Sequence, residues 1–376
     1  MGNKILCVLL LAVVPGLPAS GSDIDYTFMS QRSFSSAAMK GLGDAGVALP
    51  GDISSGMWNP ALLYSSISGT TGAVAVGYGR DSLFNRHIMP FTAGYVNGNG
   101  ALGGFYRYQS GDVPLRQNEI ALNLSGVMFE KADMKGRVDF GINFRYEWMG
   151  LASSGYRRLP VERYIVDSTG NTAYQSTIDS IDMPYRRESG ARRFIVDIGF
   201  YQPDFLDRLD FGLVLRNLAG YAWEKGRPRR VAADSSAADS VAVAGDTVIR
   251  RYSYVNEDAK GWLSKRYRSL LIGIVYRIEA GAALQFSFPV DLELLGLFDR
   301  KVENKFVFRG GIAAQIKSMF FFRLGYARQP KTFLEGITPF RNTNFFTGGA
   351  GVFISPVSFD FYLSQQSFGI TAGYRF

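Results

Sequence analysis

The 376-residue chain carries 43 glycines, 14% aromatic and 20% charged residues, and a formal net charge of +8. With one cysteine, Cys7, and one histidine, His87, it has no disulfide framework, and zinc sites and histidine-based catalysis find no support. The basic residues are spread through predicted strands and two predicted loops without a nucleic-acid-binding motif, so no nucleic-acid partner is expected.

Residues 1–22 open with Lys4, continue as an apolar run from Ile5 to Val14, and close on Pro15, Gly16, Pro18 and the small residues Ala19, Ser20 and Gly21. This is the grammar of a cleaved export signal. The apolar run is too short for a hydrocarbon core of about 30 Å, and no later run of about 20 apolar residues follows. A membrane-crossing chain of this kind crosses with strands.

Residues 34–64 show no alternation and are rich in small residues. Gly41, Gly43 and Gly46 permit close backbone approach. In the Trp58-Asn59-Pro60-Ala61 core, Asn59 can bond its own backbone to start a turn while Pro60 fixes the next φ. Segment 23–66 is read as a compact insert, a plug within a barrel lumen.

From 67 onward the chain alternates. Over 137–148, Val138, Phe140, Ile142, Phe144, Tyr146 and Trp148 share one face, and Arg137, Asp139, Gly141, Asn143, Arg145 and Glu147 the other. Period two with unlike faces marks a strand between two media, and the closing Tyr and Trp suit a headgroup girdle. Similar segments recur at 70–80, 87–97, 100–109, 117–129, 191–202, 208–217, 267–277, 280–290, 304–316, 318–328, 344–354, 356–364 and 367–376. The total is about 14, an even number as single-chain bacterial barrels have. The predicted fold is therefore all-β: a transmembrane antiparallel β-barrel over 67–376 with the plug in its lumen.

Connections sort by length. Short turns are expected at 97–100, 131–136 and 202–207 and near Glu279, Lys317 and Ser355. The longest connections, about 150–190 and 218–266, fall at the other end and are expected to be extracellular. Residues 232–247 are low in complexity, a composition that predicts a mobile loop. The basic clusters 186–193 and 225–230 read first as solvated loop charge and, as the alternative, as places where lipopolysaccharide phosphates or an acidic partner would be held. Lumen-facing charges are read at Glu119, Asp139, Arg145, Glu147, Asp197, Asp210, Arg216, Arg277, Arg309, Arg323, Asp360 and Arg375, bracing the interior across strands or lining a polar passage. The last strand ends on Tyr374 and Phe376. No GxSxG elbow and no Walker lysine occurs, so neither an enzyme nor a cofactor is expected.

GLGDAGVA at 41–48 followed by WNPALL at 58–63 resembles the N-terminal signature of FadL-like outer-membrane proteins. That group includes long-chain fatty-acid transporters and the PorV/PorQ proteins of the type IX secretion system. Stretches 196–220, 322–330 and 345–363 resemble the PorV/PorQ branch, and the terminal strand resembles the signal read by the barrel-assembly machinery. The resemblance implies a fourteen-stranded barrel in the outer membrane of a Gram-negative-type bacterium, with a plug containing Asn59-Pro60-Ala61. It implies two functions. The first, favoured by the polar loops, anchors or shuttles secreted proteins at the surface, with secretion components or surface cargo as partners. The alternative passes small hydrophobic molecules such as fatty acids across the outer membrane.

Overall fold

The computed structural model describes residues 36–81, 86–111, 115–130, 137–166, 172–225, 239–243, 246–252, 268–295, 305–328, 344–365 and 367–376. Three short helices come first: α1 (Ala37–Gly41), α2 (Ser55–Trp58) and α3 (Leu62–Ile67). The strands follow as β1 (Gly72–Asp81), β2 (Arg86–Asn97), β3 (Gly100–Gly111), β4 (Leu115–Phe129), β5 (Val138–Val166), β6 (Thr172–Leu206) and β7 (Leu209–Lys225). Next come β8 (Asp239–Val243), β9 (Asp246–Tyr252), β10 (Ser269–Ala280), β11 (Leu284–Leu295), β12 (Lys305–Ile316) and β13 (Phe320–Arg328). The last three are β14 (Asn344–Ile354), β15 (Val357–Ser364) and β16 (Ser367–Arg375).

Fourteen of these strands close into one antiparallel barrel. Sequential neighbours pair from β1 to β7, β10 takes the far edge of β7, and β16 returns to β1. Closure is what a bilayer demands, because an open edge would leave peptide groups without partners in hydrocarbon. The seam is tied at the chain terminus, where the Phe376 carbonyl accepts the N–H groups of Thr71 and Gly72 at 2.8 and 2.9 Å. Among the described residues no helix is long and apolar enough to cross a membrane.

Alternation sorts the two faces. Phe346, Phe359, Leu363 and Leu324 point outward and are exposed, Leu324 by 66%. The inward positions beside them, such as Arg309, Arg323 and Asp360, are buried or half-buried among polar partners. A soluble protein would invert this arrangement; a hydrocarbon solvent outside requires it.

The stretch 150–190 differs from the expected loop. β5 and β6 continue through it as one long hairpin, paired out to Val166↔Thr172. Residues 239–243, inside the stretch 232–247 expected to be mobile, and 246–252, which begin in it, pair as β8 and β9, and β9 adds to β5 along Val161–Val166. Past the lipid there is no hydrocarbon to set one sheet face against the other, so the two-residue polarity signal that marks a membrane strand is not required. The turn expected at 202–207 is also corrected: β6 runs through an irregularity to Leu206, and the chain reverses at Asp207-Arg208. The turn expected near Glu279 lies at 281–283. The export signal 1–22, residues 23–35, the turn 131–136 and the basic cluster 226–230 lie outside the described residues.

Candidate functional site in the barrel lumen

Residues 36–71 lie within the barrel and touch its wall on many sides. Ser36 caps α1 by accepting the Met39 N–H, and the helix leans on β14, β15 and β13. The Ala37 N–H donates to Thr371 Oγ1 at 2.9 Å, and Thr347 Oγ1 donates to the Gly41 carbonyl at 3.0 Å. After α1 the chain turns through Gly43 at φ 67, where a Cβ would sit 2.8 Å from the Tyr326 backbone nitrogen. Only glycine meets both conditions. Gly46 lies against the Met39 side chain. The N–H groups of Gly46 and Val47 then converge on Asp291 Oδ2 at 2.7 and 3.0 Å, and Val47 packs on Val214 and Leu271.

Asn59 is the main tie to the opposite wall. It is fully buried, and its Nδ2 donates to the carbonyls of Val47 and Phe200 at 2.8 and 2.9 Å. Its Oδ1 accepts the Ala61 N–H at 3.0 Å, closing the turn that Pro60 enters. One side chain thus joins two arms of the segment to strand β6. Nearby, the Gly56 carbonyl accepts Nδ2 of both Asn123 and Asn143, at 3.2 and 3.0 Å. Trp58 is stacked under the Arg216 guanidinium, 5.0 Å from its ring centre, and Arg216 also donates to the Trp58 carbonyl. Ala61 and Leu62 pack on Tyr201.

The wall makes room with glycine. A Cβ on Gly199 would overlap Asn59 Oδ1, one on Gly141 would overlap the Pro60 carbonyl group, and one on Gly325 would enter the Leu42–Gly43 peptide. These are inward positions of β6, β5 and β13, where any side chain would displace the segment.

Beside the segment, on the side of the long connections, lies a layer of buried ion pairs. Arg145 grips Asp197 through Nε at 2.6 Å and Nη2 at 3.1 Å, reaches Glu147 at 2.9 Å and Glu119 at 3.4 Å, and donates to Asn217 at 2.8 Å. Arg107 pairs with Glu119 and Arg193 with Glu147. The layer therefore holds three arginines and three carboxylates, each compensated, as burial of ions requires. A bulge in β7 completes it: Val196 faces Ala219 and Ile198 faces Leu215, so Arg216, Asn217 and Leu218 stand opposite Asp197. Asn217, at φ 54, donates its N–H to Asp197 Oδ1 at 2.8 Å. Elsewhere Arg309 pairs with Glu293, Arg277 with Asp210, and Arg323 with Asp360. Asp139 binds Arg137 and Ser65 Oγ. Arg375 stands apart at the short-turn end, over the Phe353 ring and donating to the Gly51 carbonyl. There a depression of about 460 Å³ opens between Thr70, Thr71, Phe353, Arg375 and Phe376. Tyr374 and Phe376 face outward with rings 6.3 Å apart.

Sequence reasoning placed Gly141 and Asn143 on the inward face without giving them a role, and did not single out Asp291, Asn123 or the other wall glycines. Their inward register was readable from alternation, and glycine within a strand is a known sign of close backbone approach. Their partners in the lumen segment, 67 residues or more away in the chain, were not. His87 lies on the outer face, bonded through Nδ1 to the Tyr78 hydroxyl at 2.7 Å. No group of His, Cys, Asp or Glu among the described residues is arranged to hold a metal ion.

No family model and no curated protein matches the sequence. Solved structures do match the fold. The toluene transporter TbuX of Ralstonia pickettii aligns over 93% of this chain and 100% of its own, with a TM-score of 0.52 and 11% identity. This chain shares its fold. The monoaromatic hydrocarbon channel CymD aligns over 91% and 97%, at a TM-score of 0.51 and 13% identity. The P. putida toluene transporter TodX aligns over 91% and 98%, at 0.50 and 9%.

Proposed function

We propose that this protein passes small hydrophobic molecules across the outer membrane, as a gated barrel rather than an open pore. The observation that carries the reading is the segment held across the lumen. It is tied to β6 by Asn59, to β11 by Asp291 and to β14 and β16 on the far wall by Thr347 and Thr371, and it lies beside a layer of compensated ion pairs, inside a barrel with the fold of hydrocarbon transporters. A free water channel has no use for such a seal. The long connections then face the cell exterior, and the depression at Arg375 faces the periplasm. Passage requires the segment to leave its wall contacts, and the Asn59 tie is the contact whose loss frees both of its arms at once.

The test is uptake. Cells carrying the full chain take up labelled toluene and a labelled long-chain fatty acid in parallel, against cells carrying an empty vector. Faster entry of either compound supports the reading and names the class. Equal entry of both compounds in both strains overturns it.

A second reading, anchoring of secreted proteins in the PorV/PorQ manner, draws on the long β5–β6 hairpin and the β8–β9 pair added to it. That sheet extends past the barrel and offers protein-sized surface. Copurification from native membranes in mild detergent tests it: a stoichiometric secretion component or surface cargo selects this reading, and recovery of lipid alone removes it.

A further inference from the structure

The outer face of the barrel is not symmetric in charge. Arg80 is the next-to-last residue of β1, Arg328 the last of β13, and Arg268 immediately precedes β10; all three are exposed. Each continues the outward row of its strand, and each stands at the end nearest the long connections. Arg192 of β6, also exposed and outward, lies further along the same end.

These arginines sit in the rows of the aromatic girdle. Arg80 lies opposite Phe368 and His87, Arg328 opposite Phe308, and Arg192 opposite Trp148. Trp148 itself clusters with Tyr146 and Tyr106 at ring distances of 5.7 and 6.5 Å. Below this level the outward rows are apolar, with Phe322, Leu324, Phe346 and Phe361 exposed. Among the described residues the opposite rim has no such collar. There the exposed acids Glu130, Asp204, Asp207 and Glu279 mix with Arg208 and Lys317.

We propose that Arg80, Arg268 and Arg328, spaced around the barrel, are the separate points of a collar, each binding a phosphate group of an anionic, phosphate-bearing lipid in the leaflet on the long-connection side. The chemistry is specific in two ways. Guanidinium groups bind phosphate bidentately and keep their charge at any physiological pH. Their position directly above an apolar aromatic band sets them at headgroup depth, so the acyl chains of a lipid held at Arg328 lie on Phe322 and Phe346 while its phosphate meets that arginine. A soluble anion offers only half of this contact. The inference does not rest on transport: a barrel with any cargo would carry the same collar.

The experiment uses the purified full chain in mild detergent with lipid A as the probe, and native mass spectrometry to count retained lipid. Phosphatidylcholine and inorganic phosphate serve as comparisons, and heat-modifiable gel migration verifies that each variant is folded. A basic residue near a charged lipid surface is worth about 1 kcal/mol, so R80Q, R268Q and R328Q each lower lipid A affinity about fivefold. The triple variant loses retained lipid A at concentrations that saturate the parent. R208Q/K317Q, at the other rim, leaves retention unchanged. Equal retention by the folded triple variant overturns the proposal. So does an equal loss in R208Q/K317Q, or binding of phosphatidylcholine or inorganic phosphate as tight as that of lipid A.

Discussion

Asn59→Ala is the sharpest perturbation of the lumen segment. The wild-type side chain makes three hydrogen bonds within a fully buried site, to the Val47 and Phe200 carbonyls and from the Ala61 N–H. Each is worth about 1 kcal/mol net, and stranding buried backbone partners adds a further 1–3 kcal/mol, for a total of about 4–6 kcal/mol. None of this falls on the barrel ladder, because the β5–β6 register at Phe140↔Phe200 is held by main chain. The cost falls on the position of the segment, and at 1.4 kcal/mol per decade even a loss of 3 kcal/mol raises the displaced population roughly 100-fold. The assay is conductance of single barrels in planar bilayers, where the closed parent gives rare openings and N59A gives frequent ones. Asn59→Asp serves as a second arm. It keeps an oxygen for Ala61 but turns two donors into acceptors facing carbonyls, so it opens at least as often. If folded N59A barrels open no more often than the parent, Asn59 is not the tie described here and the gating argument fails.

Gly199→Ala places a methyl group where Asn59 Oδ1 sits, and it is expected to mimic N59A. Because both act on one contact, conductance of the double variant should match either single variant rather than their sum. Arg145→Met leaves Asp197, Glu147 and Glu119 short of a shared cation; breaking such a buried network costs about 3–5 kcal/mol, read as a lower temperature of heat-modifiability in detergent gels. Arg216→Met removes both the ring contact and the donor to the Trp58 carbonyl, so a protease site placed at Met57 should be cut faster than in the parent. Phe376→Ala keeps the main-chain seam to Thr71 and Gly72 but removes the terminal ring beside Tyr374; assembled barrel in the outer membrane is expected to fall while refolding in detergent is unchanged.

Alternation alone determined the wall of this protein. A strand between hydrocarbon and a polar lumen must switch polarity at every residue, so Val138 to Trp148 and Val357 to Phe376 declared their faces, and the inward charges from Asp139 to Arg375 followed from the same register. The glycine-rich stretch around Asn59 was legible as something other than a strand for the converse reason. Where no hydrocarbon sets one sheet face against the other the signal is not required, and the sequence read β5, β6, β8 and β9 beyond the membrane as loop. Only the tertiary structure decided the pairings: that Asp291 receives Gly46 and Val47, that Gly199 is empty so that Asn59 can approach, and that a bulge at Arg216 to Leu218 sets Asn217 against Asp197. These contacts join residues 20 to 245 positions apart. Local pattern reports which solvent a side chain faces, whereas its partner is fixed by barrel closure, which brings distant strands to one lumen.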